Sequence, residues 1–70
     1  MPRNVRQLKA DLRREGCFWR PGKGSHTVWG HPLVRDTVTL SGNDGDDAKP
    51  YQEKRVRDLI DAIRRAKGRP

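Results

Sequence analysis

Residues 17–40, CFWRPGKGSHTVWGHPLVRDTVTL, alternate strand-forming runs with glycine and proline breaks, and that alternation decides the fold. Cys17, Phe18, Trp19 and Arg20 favour extended backbone, and Pro21 with Gly22 ends the run and starts a turn. A second strand is expected over residues 25–29, antiparallel to the first because the connection is too short to cross over. After a turn at Gly30 to Pro32, the stretch Asp36 to Leu40 alternates Val38 and Leu40 with Thr37 and Thr39, the period of a strand with one wet face. The pattern predicts a three-stranded antiparallel meander.

Upstream, Asn4 and Gln7 have the spacing of a reciprocal capping box, and Val5, Leu8 and Leu12 form one apolar stripe. Arg13 and Arg14 suit the negative end of a helix dipole and Gly16 suits a left-handed stop, so a helix is expected over residues 4–15. Downstream, residues 41–50, SGNDGDDAKP, read as a polar loop. Beyond Pro50, Val56, Leu59, Ile60 and Ile63 make a helical stripe that ends near Gly68. Lys54 stands four residues before Asp58 on the polar side of that stripe, as Arg57 does before Asp61 and Asp61 before Arg65. The expected fold is one α+β domain over residues 1–70, an α-β-β-β-α two-layer sandwich with both helices on one face of the sheet.

A chain of 70 residues has room for a single small core. Its hydrophobic share of 31% is lean, but the apolar residues fall in periodic patches, which marks a folded domain. No stretch approaches the length of a membrane span and the basic start leads into no hydrophobic signal region, so the chain is expected to be soluble and cytoplasmic. Cys17 has no second cysteine to pair with and reads as a half-buried residue opening a strand. Asp44, Asp46 and Asp47 lack the further oxygen ligand and the terminal glutamate of a calcium loop, so neither a metal nor a cofactor is expected. A net charge of +7 on so small a body attracts polyanions, of which nucleic acid is the commonest; an acidic protein or membrane surface answers to the same field.

Within the meander, the turn Gly22, Lys23, Gly24 delivers Ser25 and His26 to the start of a strand. Glycines let the backbone approach a phosphate, whose oxygens the N–H groups, Lys23 and the Ser25 hydroxyl can surround. A histidine beside them can move a proton near neutral pH. RNA cleavage needs both, because a base must take the ribose 2′-proton while positive charge steadies the crowded phosphorus centre. The same residues also fit an RNA-binding module in which His26 only bonds or stacks, and a protein-interaction domain with an acidic partner. Arg20, Lys49, Lys54 and Arg55 are candidate backbone contacts by charge. Val28 and Trp29 are both apolar and of opposite parity, which leaves open the face that carries His26, while His31, an odd number of residues on, would point the other way in an unbroken strand.

Gly16, Phe18 and Trp19, then Lys23, Gly24, Ser25, His26 and Trp29, form a pattern that resembles the HicA family of toxins from bacterial toxin-antitoxin pairs. The likeness covers nearly the whole chain, and it implies a double-stranded-RNA-binding-domain-like fold. It implies as well a metal-independent mRNA interferase, with His26 in the place of the family's essential histidine and a HicB-type antitoxin covering the site. Lys23, Gly24 and Ser25 match the motif and are expected to contact RNA, joined by Arg20 and Lys54. The chain departs from the family pattern at Ser41 to Glu53, which is longer and more acidic than its usual counterpart.

Overall fold

A computed structural model describes residues 3–68. The elements run α1 (Val5–Arg14), β1 (Phe18–Pro21), β2 (Thr27–His31), β3 (Val34–Leu40) and α2 (Pro50–Lys67). The strands make one antiparallel sheet in the order β1-β2-β3. Trp29, Val38 and Leu40 on one side of that sheet join Leu8 and Leu12 of α1 and Val56, Leu59 and Ile63 of α2 in a single core. The α+β sandwich with both helices on one face is therefore the fold of this chain.

Both ends of α1 obey local chemistry. Asn4 Oδ1 accepts the Gln7 N–H at 3.0 Å and Gln7 Oε1 accepts the Asn4 N–H at 2.9 Å, the reciprocal capping box. At the other end Gly16, with φ of 88°, lets its own N–H reach Arg13 O and the Cys17 N–H reach Leu12 O, so the last turn ends in a Schellman motif. The first helical N–H groups are satisfied by the acidic loop: Val5 donates to Asp46 O at 2.9 Å and Arg6 to Asp44 O at 3.0 Å. Lys9 holds the Asp44 carboxylate at 2.7 Å and keeps that carboxyl below its usual range. The loop is thus tied down on α1.

In α2, Pro50 occupies the first turn, where a missing N–H costs nothing. Gln52, almost fully buried, accepts the Lys49 N–H at 2.9 Å and donates to Ser41 O at 3.1 Å, fixing the helix start to the end of β3. Glu15 clamps the far ends of the helices together, taking two N–H groups of Arg64 on its carboxylate and the Lys67 ammonium on its carbonyl. That guanidinium, aided by Lys67, holds the Glu15 carboxyl below the ordinary glutamate range.

The strands depart from their expected bounds for identifiable reasons. β1 includes Pro21 because it is an edge strand, where a residue without N–H breaks no ladder. β2 starts at Thr27, since Ser25 lies in the turn, closed by the His26 N–H donating to Lys23 O at 3.0 Å. The expected break at Gly30 does not occur. β2 continues to His31, which pairs with Val34, and the chain reverses at Pro32 and Leu33. β3 accordingly begins at Val34 rather than Asp36, and the pairing slips from Trp29↔Val38 to His31↔Val34, so that Arg35 to Thr37 bulge opposite Gly30.

Candidate active site

β1 pairs with β2 as Phe18↔Gly30, Trp19↔Trp29, Arg20↔Val28 and Pro21↔Thr27. Residues directly opposite in an antiparallel pair share a face, so Trp29 carries Trp19 to the helix side. The Trp29 ring is fully buried there, its indole N–H donating to Thr27 Oγ1 at 2.8 Å, with the Arg13 guanidinium over it and Trp19 stacked at 6.0 Å. Phe18, Arg20, Val28 and Gly30 take the opposite, open face. The pairing continues one step further, because the Gly22 N–H donates to His26 O at 2.8 Å. A Cβ on Gly22 would lie 3.2 Å from the Cβ of His26, on the same side of the hairpin and closer than opposed side chains normally come, so only glycine fits there without a shift. His26 therefore stands on the open face, in line with Val28 and beside Arg20.

The tip of this hairpin is Lys23, Gly24 and Ser25, and Gly24 turns it with φ of 58°, a conformation glycine adopts without strain. Lys23, Gly24 and His26 are exposed, and among the described residues the His26 ring has no hydrogen-bond partner. Ser25 Oγ accepts the Gly42 N–H at 3.1 Å, which brings the start of the acidic loop to the hairpin tip. Having accepted, the Ser25 hydroxyl keeps its own proton free to donate to an anion. Arg20 is exposed on the same face. Lys54 lies elsewhere, on α2, where Asp58 holds its ammonium at 2.8 Å and that contact keeps the Asp58 carboxyl low. The structure thus gathers Arg20, Lys23, Gly24, Ser25 and His26 on one hairpin, whereas Lys54 is committed to an ion pair.

The two histidines are in opposite situations. His31, only 8% exposed, accepts the Leu33 N–H on Nδ1 at 3.1 Å, so its ring proton sits on Nε2 and is donated to Glu15 O at 3.1 Å. Both nitrogens are engaged in joining the β2-β3 turn to the end of α1. Neither nitrogen of the exposed His26 ring is engaged by another described residue. The Cys17 thiol is pushed up by burial and is a poor nucleophile. Among the described residues no three His, Cys, Asp or Glu side chains cluster to hold a metal ion, and no helix is long and apolar enough to cross a membrane.

Sequence spacing missed the Ser25 to Gly42 contact, for which no local signal exists. It also left the face of His26 open, although a signal was present: Gly22 and His26 stand symmetrically about Gly24, and counting outward from that tip gives Arg20↔Val28 and Phe18↔Gly30.

The chain is of a small, basic α+β class, two helices on one face of a three-stranded antiparallel sheet, and it presents His26 at a glycine-turned hairpin tip. Within that class, the family model described as the HicA toxin of bacterial toxin-antitoxin matches residues 5–67, and the chain belongs to that family. No curated protein and no solved structure matches it.

Proposed function

We propose that this chain is the toxin of a type II toxin-antitoxin pair, an endoribonuclease that cleaves mRNA in the cytoplasm without a metal and is held silent by a HicB-type antitoxin. The observation that carries this reading is the contrast between the histidines: His31 is consumed by the fold, and His26 is presented unbonded beside Lys23, Gly24 and Ser25. A phosphodiester seated on the tip receives the Gly24 N–H, the Ser25 hydroxyl proton and the Lys23 charge, while Arg20 takes a neighbouring phosphate. His26 removes the proton of the ribose 2′-hydroxyl. The 2′-oxygen then bonds to phosphorus, the bond to the 5′-oxygen breaks, and that oxygen takes a proton from water. Lys54 serves as a more distant backbone contact that must exchange Asp58 for phosphate.

The test is expression of the chain and of His26→Ala with growth and transcript integrity followed together. Wild type should arrest growth and fragment mRNA, and the variant, folded by circular dichroism, should do neither. Equal harmlessness of the two, with RNA still bound by the purified protein, would leave a binding module in place of the enzyme.

A further inference from the structure

The open face of the sheet carries an aromatic that the core does not use. Phe18 is 58% exposed, yet its ring is anchored: its Cε1 and Cζ come within 3.3 Å of where a Gly30 Cβ would be, with the Thr37 methyl beside them. Glycine at position 30 is what lets the ring lie across the strand. From this ring the β1-β2 register sets out a row, Phe18 over Gly30, then Arg20 with Val28, then Gly22 with His26. No carboxylate stands in that row, and Thr39, opposite Val28, faces the same side. At the usual strand rise the Phe18 step and the His26 step are about 13 Å apart, a span within reach of neighbouring nucleotides of one strand.

We propose that this face is the substrate's base-binding platform: Phe18 stacks one unpaired base of a single-stranded RNA, and Arg20 takes the phosphate between that base and the linkage at His26. This deepens the ribonuclease reading and rests on it. The occupant is argued from charge and shape. A polyanion complements the +7 chain and the cation placed between the aromatic and the histidine. An exposed, flat π-face at the sheet surface offers stacking to any base, whereas a duplex hides the base faces. Phe18 is then a specificity-determining residue for single strands, with no part in the proton transfers.

Binding of a short fluorescein-labelled 2′-O-methyl oligoribonucleotide, which cannot be cleaved through a 2′-hydroxyl, tests this against its abasic counterpart. Phe18→Ala, and Phe18→Leu, which keeps an apolar cover over Gly30, should each weaken binding roughly tenfold, while Phe18→Tyr retains it. Wild type should bind the abasic strand no better than Phe18→Ala binds the full one. The salt dependence should be unchanged in Phe18→Ala and shallower by about 0.7 in log-log slope in Arg20→Ala, which loses one phosphate contact. Folded Phe18→Ala and Phe18→Leu chains that bind like wild type would overturn the platform while leaving the ribonuclease reading intact. Loss of antitoxin capture with RNA binding preserved would make the face a protein interface and overturn it equally. Wild type that neither binds nor cuts RNA removes the platform together with the function on which it rests.

Discussion

Replacing His31 by alanine removes a ring that joins three parts of the chain, and the cost follows from its bonds. The ring accepts from Leu33 and donates to Glu15 O, two hydrogen bonds worth about 1 kcal/mol each net. Glu15 O keeps the Lys67 ammonium at 3.0 Å and so remains satisfied. The Leu33 N–H sits in an exposed turn that water can enter. Adding the lost packing of a buried ring under Gly16, the total is about 2–3 kcal/mol. A domain of this length has about 3.5–10 kcal/mol in all, so the loss is a large fraction. The melting temperature should fall by about 10–20 °C. Thermal and urea unfolding followed by circular dichroism measure it, and RNA cleavage is then assayed at a temperature where the variant is folded. Cleavage per folded molecule should stay near wild type. The reasoning is refuted if His31→Ala melts within a few degrees of wild type, or if the folded variant is as inactive as His26→Ala. His26→Ala, at an exposed and unbonded ring, should change stability by no more than about 0.5 kcal/mol.

Gly22→Ala places a methyl 3.2 Å from the His26 Cβ, so the hairpin must yield by a few tenths of an ångström; cleavage should drop about tenfold with the fold retained, as an RNA-cleavage assay beside a melt would show. Asn4→Ala removes the acceptor of the Gln7 N–H and should cost about 1 kcal/mol in urea unfolding without altering activity. Because Arg64 lowers the folded-state Glu15 carboxyl, its stabilisation is fully present above the unfolded-state value of about 4.3 and is lost as pH falls through the lower folded-state value. The melting temperature should therefore decline with acid below about pH 4.3, and Arg64→Ala should flatten that decline.

Much of this architecture is written locally. Asn4 with Gln7, Gly16 and the stripe Leu8, Leu12 define α1, because capping and periodicity act within a few residues. Val56, Leu59 and Ile63 define α2, and the alternation of Val38 and Leu40 orients β3. The Lys23 to His26 motif is legible in the sequence too, and the family whose pattern it resembles is the one whose model matches residues 5–67.

The tertiary structure decided what local pattern leaves degenerate. A strand with apolar residues at adjacent positions has no preferred face until something covers one side of it, and the helices chose Trp29, sending His26 to the open side. His31 looked like a turn residue because Gly30 and Pro32 flank it; its place in β2 depends on acceptors and donors supplied by Glu15 and Leu33, the former distant in the chain. The acidic segment between Ser41 and Pro50 gave no internal sign of its partners, since those are the free N–H groups at the start of α1 and the hydroxyl of Ser25. Short-range propensity sets which elements form, and the burial of one sheet face with the pairing of otherwise unsatisfied polar groups sets which side chains are left to do chemistry.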